Sequence, residues 1–237
     1  ANNVTDVCLR DFSSNATIVV SRTPDRSGTG NSASGTPVFG GDGDHLLFIS
    51  IASDLAANDT NGKQDVFLWR AATGSNELIS VNLAGDGTGN GFSGITAAGL
   101  SEDLRYVVFF SEAGDVASGD TNGAADIFLR DRMANTTTLI SRPADSPFGG
   151  NGDNFAPFIS ANGATVVFSS DATNLVADDT NAATDIFGIS TTNKLTGFGA
   201  TDLQLTVVGT LIQEVGSNYV TTVLITNAGP NHAPSFA

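Results

Sequence analysis

The sequence is short of positive charge. Ten lysines and arginines stand against 25 aspartates and glutamates, a formal net charge of −15. With no basic cluster, the chain lacks the positive footprint that nucleic acid or an anionic membrane surface requires. A single cysteine, Cys8, excludes an intrachain disulfide. No apolar run approaches the ~18 residues of a membrane helix. No window of about 12 residues keeps a helical period. Histidine is almost absent: His45 lies in a turn and His232 near the end, and neither recurs. The metalloprotease His-Glu-x-x-His and the hydrolase Gly-x-Ser-x-Gly are both missing. The opening Ala1-Asn2-Asn3 does not read as a signal peptide, which a mature secreted chain would have lost.

What is present is a repeat. Asp59-Thr60-Asn61-Gly62-Lys63-Gln64-Asp65-Val66-Phe67 returns as Asp120-Thr121-Asn122-Gly123-Ala124-Ala125-Asp126-Ile127-Phe128. It returns again as Asp179-Thr180-Asn181-Ala182-Ala183-Thr184-Asp185-Ile186-Phe187. Asn2 to Arg10 aligns with Asn61 to Trp69 as part of a further copy. Subtracting the numbers of Asn2, Asn61, Asn122 and Asn181 gives periods of 59, 61 and 59 residues. A fixed period of this length signals a repeat architecture.

Each unit reads as four short strands rich in β-branched and aromatic residues and bounded by Gly, Asn and Asp. In the third unit these are 94–98, 105–110, 126–130 and 136–142. In the second they are 38–39, 46–49, 65–69 and 77–81. In the fourth they are 158–159, 165–168, 185–189 and a weak strand at 194–195. The second and third strands are apolar on both faces, as expected where sheets stack side by side. Four-stranded units around an axis are propeller blades. The reading is therefore an all-β propeller-like array of about four blades: a half blade at 1–22, then 36–82, 91–143 and 155–197. Glycine-rich crossings separate the units, with Asn31, Asn90 and Asn151 in register, and read as tight turns. From 199 the pattern changes to two strands, near 202–209 and 218–226.

Leu104-Arg105-Tyr106-Val107-Val108-Phe109, Asp120 to Phe128 and Thr136 to Arg142 together resemble the TolB-like (WD-type) β-propeller repeats of secreted bacterial proteins. The stretch Glu214 to Pro230 resembles the start of the Ig-like repeat domains of bacterial surface proteins. Neither resemblance implies a single activity. Residues 199–237 are open to two roles. They could belong to a partial Ig-like segment, or act as clasp or donor strands that complete the half blade of this chain or of a neighbour. A fragment of a longer chain is equally consistent.

The acids suggest a cation. Asp54, Asp59, Asn61 and Asp65 share their spacing with Asp115, Asp120, Asn122 and Asp126, and with Asn174, Asp179, Asn181 and Asp185. Several oxygens on one loop with a glycine bend suit Ca²⁺. The competing explanation is Asx turns with no metal. No catalytic residue and no organic cofactor is expected, because acids recurring once per unit behave as scaffold positions. Cys8, aligned with Phe67 and Phe128, is expected in the core. Trp69 and Tyr106 could stack sugars but sit within strands. Sequons at Asn3, Asn15, Asn58 and Asn135 offer possible glycosylation sites. The expected function is a non-enzymatic extracellular structural subunit, homo-oligomeric or polymeric through β-strand complementation. The alternative is a calcium-stabilised module presenting a face to a glycan or protein ligand.

Overall fold

The computed structural model describes residues 3–177, 179–181 and 183–191, together with the strands 203–205 and 225–227. The described residues are all-β, with fifteen strands and no helix. Strands β1 (Cys8–Asp11) and β2 (Ala16–Val19) form a hairpin. Strands β3 (Ser34–Phe39), β4 (His45–Ser50), β5 (Asp65–Arg70) and β6 (Ser75–Leu78) form an antiparallel meander in chain order. Strands β7 (Ser93–Gly94), β8 (Tyr106–Ser111), β9 (Asp126–Asp131) and β10 (Thr136–Leu139) repeat it. So do β11 (Asn154–Ile159), β12 (Thr165–Ser170) and β13 (Asp185–Ser190). The expected strand at 194–195 lies outside the described residues. Strand β14 (Leu203–Leu205) pairs with β15 (Ile225–Asn227). Among the described residues, neither joins the β1–β2 hairpin.

Strand alternation explains why these sheets stack. Successive side chains point to opposite faces, and in the central strands both faces are apolar. Leu46 and Phe48 of β4 pack toward the first hairpin with Val7, Val20, Phe67 and Trp69. Leu47 faces the other way, into a cluster with Val66, Leu68, Val107, Phe109 and Phe128. Val108 and Ile127 then turn toward Val166 and Phe168 of the next sheet. Each inter-sheet layer is thus built from alternate residues of two neighbouring sheets. A phenylalanine pair crosses the second and third strands at the same place in each of the three units that have both strands. Phe48–Phe67 and Phe109–Phe128 have centroids 5.6 Å apart, and Phe168–Phe187 5.8 Å.

Three local expectations need correction. The strand expected at 94–98 is only Ser93–Gly94. There the Phe110 ring sits where a Gly94 side chain would lie, and the chain then leaves the sheet, with the Thr96 hydroxyl donating to the Pro157 carbonyl. The first strands of the second and fourth units begin earlier than expected, at Ser34 and Asn154. Each contains a bulge, with Thr36 and Ala156 at φ of 50° and 51°. The fourth strands end earlier, at Leu78 and Leu139, because Ser80 and Ser141 turn inward to buried aspartates.

Cys8 is exposed, not in the core. Its equivalents Phe67 and Phe128 are buried against the preceding sheet, whereas no described residue packs on that face of β1. His45 is half-buried at the start of β4, with Nδ1 2.7 Å from Asp42 Oδ2. Trp69 is 2% exposed, which removes it as a sugar platform. The Tyr106 ring is covered by the Arg105 guanidinium at 4.8 Å.

Candidate functional site: the recurring acidic loops

The loops between the second and third strands carry the recurring acids. In each unit the structure assigns these positions different tasks. The last aspartate, Asp65 or Asp126, starts the third strand and is fully buried. The Ser80 hydroxyl donates to Asp65 Oδ1 at 2.7 Å and accepts from the Val66 N–H at 3.0 Å. Ser141 does the same for Asp126 and Ile127, and Ser21 for Asp6 and Val7. A serine that leaves the fourth strand is therefore locked to the base of the third. The signal for these serines was visible, since Ser21, Ser80 and Ser141 recur at the repeat spacing.

The asparagine is a two-way latch. Asn61 Nδ2 donates to Asp65 at 2.9 Å and to the Gly89 carbonyl at 2.7 Å. Asn122 Nδ2 makes the same pair with Asp126 and Gly150, both at 2.7 Å. Asn181 Nδ2 reaches Asp185 at 3.3 Å. The carbonyls of Asn61 and Asn122 close the local turn by accepting from the N–H groups of Lys63 and Ala124. Gly62 and Gly123 follow at φ of 63° and 69°, a left-handed turn that favours glycine.

The first residue of each set, Asp or Asn, holds the glycine-rich crossing. Asp54 accepts from the Asn31 N–H at 2.9 Å, Asp115 from the Asn90 N–H at 2.8 Å, and Asn174 from the Asn151 N–H at 2.9 Å. The in-register asparagines of the crossings therefore serve as docking points as well as turn formers.

The remaining position, Asp59, Asp120 or Asp179, is different. Asp59 and Asp120 are each 6% exposed. Neither oxygen of Asp59 has a hydrogen-bond partner, and one oxygen of Asp120 and one of Asp179 also have none. Asp120 takes the backbone N–H of Asn122 and lies in hydrogen-bonding contact with Asp126. Burial, then the Asp126 charge, pushes the Asp120 carboxyl up to about 6. Burial and Asp54 raise Asp59. Burial pushes Asp65 up to about 7, against the pull of Ser80 and Asn61. Burial likewise raises Asp126. Among the described residues, no three His, Cys, Asp or Glu side chains converge on one point. The loops thus bring their acids together in pairs, not as a cage.

The four sequon asparagines, Asn3, Asn15, Asn58 and Asn135, are exposed and have φ between 55° and 63°. Asparagine tolerates this region better than most residues, and Gly74 takes the equivalent hairpin position in the second unit with φ of 60°. Asn15 and Asn135 accept from Arg10 and Arg130, and Asn58 Nδ2 donates to the Asp86 carbonyl. Local turn geometry accounts for asparagine at these places.

No protein-family model matches the chain, and no curated protein sequence matches it. Solved structures do. One is the crystal structure of the tricorn protease, at 11% identity and a TM-score of 0.40, covering 69% of this chain and 13% of that one. Another is a TolB described as putative from Agrobacterium tumefaciens, at 16% identity and 0.38, covering 76% of this chain and 64% of that one. A third is an oligogalacturonate lyase from Vibrio parahaemolyticus, at 14% identity and 0.35, covering 78% and 43%. The chain spans less than two thirds of the length of each of these proteins.

Proposed function

We propose that the chain is a non-enzymatic, extracellular structural protein, a repeat scaffold that joins other chains by β-strand complementation. The observation that supports this reading is the use made of its recurring polar residues. Asp65, Asp126, Asn61, Asn122, Ser80, Ser141, Asp54 and Asp115 all hold one unit to the next or one strand to another. The same arrangement in successive units serves rigidity, and chemistry at one centre would need an exception to it. Among the described residues no strand pairs with the outer edge of β1, and a strand edge can take up a further strand.

Electron microscopy of the purified chain tests the proposal. Fibres or regular oligomers are expected at micromolar concentration. A monomer at every concentration overturns the assembly reading.

A second reading, a module that binds a glycan or protein ligand, has one observation in its favour. A pocket of about 280 Å³ is lined by Ala117, Ser118, Thr137, Thr138, Leu139, Arg142 and Pro147. Hydroxyls beside an exposed guanidinium suit a polar ligand. Glycan-array binding that is lost in Arg142→Ala would support this reading over assembly.

A further inference from the structure

One carboxylate in each acidic loop is left over when every hydrogen bond has been assigned. Asp54 and Asp115 are taken by the crossings, and Asp65 and Asp126 by serine and asparagine donors. Asp59 and Asp120 remain, each more than nine-tenths buried and each with at least one unpartnered oxygen. Among the described residues, neither takes part in a salt bridge. Each also lies beside further negative charge, Asp54 and Asp65 around Asp59, and Asp115 and Asp126 around Asp120. A buried, unpaired carboxylate costs several kcal/mol, and a chain that repeats one must supply a counter-charge.

We propose that Asp59 with Asp65, and Asp120 with Asp126, each hold a Ca²⁺ ion at the start of the third strand. The donors are all oxygens, with no histidine or thiol, which selects a hard cation over zinc or copper. Two carboxylates per site leave the rest of the shell to backbone carbonyls and water. That places the affinity in the weak range of extracellular calcium modules, about 10⁻⁴ to 10⁻³ M. A shared proton is the competing way to satisfy the pair. It suits Asp120, which touches Asp126. It does not suit Asp59, which lies near Asp65 without the hydrogen-bonding contact that Asp120 makes to Asp126. The fourth unit lacks the glycine, with Ala182 in its place, and Asp179 is only half-buried, so two sites are expected and not three. The proposal does not depend on whether the chain assembles.

The test is calorimetric melting of the full chain after chelation, followed by titration with CaCl₂ or MgCl₂ at matched ionic strength, with Tb³⁺ luminescence as a binding readout. Calcium at about ten times its dissociation constant is expected to raise Tm by about 5 °C or more. Tb³⁺ should bind two equivalents and be displaced by calcium. Asp59→Asn and Asp120→Asn should each remove one equivalent. Without calcium, Asp120→Asn should melt above the parent, because a buried charge has gone; this shows that the variant folds. A calcium response no larger than that of magnesium, with no Tb³⁺ signal, overturns the proposal in favour of the shared proton. Two equivalents retained in both variants overturn it in favour of diffuse binding to the acidic surface.

Discussion

At the scale of single residues, the serine that closes each unit has the largest effect for its size. The Ser80 hydroxyl serves two buried groups at once, the Asp65 carboxylate and the Val66 N–H. Ser80→Ala leaves the N–H without a partner and the carboxylate one donor short. Each such loss costs about 1–3 kcal/mol, so the variant should lose about 2–6 kcal/mol in urea unfolding. Ser80→Thr, which keeps the hydroxyl, should recover part of it. A second residue governs acid stability. Arg105 donates to both oxygens of Asp131 at 2.7 to 3.1 Å, and this holds the Asp131 carboxyl below the usual carboxylate range. A depressed folded-state value gives stability that is present above the unfolded value of about 3.9. That stability is lost as pH falls through the folded value. Asp131→Asn should therefore be less stable at pH 7 and show a shallower loss between pH 5 and pH 2. Urea midpoints across that range, compared with the parent, measure both effects.

At the scale of elements, the repeat was legible and the edges of the strands were not. The Asp-Thr-Asn-Gly strings located the third strands to within one residue, because the buried aspartate that starts the strand is itself part of the string. The second strands were legible because Tyr106 to Phe110 has no residue that suits a turn. The first strands were misplaced because their position depends on contacts across the sheet. Gly94 lies opposite the Phe110 ring, and nothing local distinguishes it from a turn glycine. The acidic loop was recognised as one group, whereas its members divide into latch, lock and leftover. That division depends on Ser80 and Asn31, which lie 15 and 23 residues from the acids they meet. The sequence pattern reads the glycines of the crossings as turn formers, but Gly30, Gly89 and Gly150 are contact positions. A Cβ on Gly89 would lie 2.7 Å from Val116 and 3.0 Å from Ala113, and the other two meet the same pair of positions in their own units. Gly89→Ala should cost about 1–3 kcal/mol through overpacking. Gly28→Ala, where nothing lies within 4 Å, should be close to neutral. The pair of melting curves separates contact from backbone freedom.

At the scale of the whole molecule, stability should follow position in the array. In repeat proteins, each unit gains most of its stability from the neighbours on its two faces. The sheets β3–β6 and β7–β10 have neighbours on both faces, and β5 and β9 are buried along nearly their whole length. The hairpin β1–β2 is exposed at most of its positions, and β13 is only half-buried. Phe109→Ala, in the central layer, should therefore cost about 3–5 kcal/mol, whereas Cys8→Ala at the equivalent face of β1 should be nearly neutral. Hydrogen exchange gives the fuller test. Amides of β4, β5, β8 and β9 should exchange only through global unfolding, and those of β1 and β2 through a smaller opening that leaves the central sheets intact. If another chain adds a strand to the edge of β1, protection of the hairpin should rise with protein concentration while that of β5 and β9 stays unchanged. Hairpin protection that is equal to that of β9 at every concentration would mean the array unfolds as one unit, with no end effect for a partner to relieve.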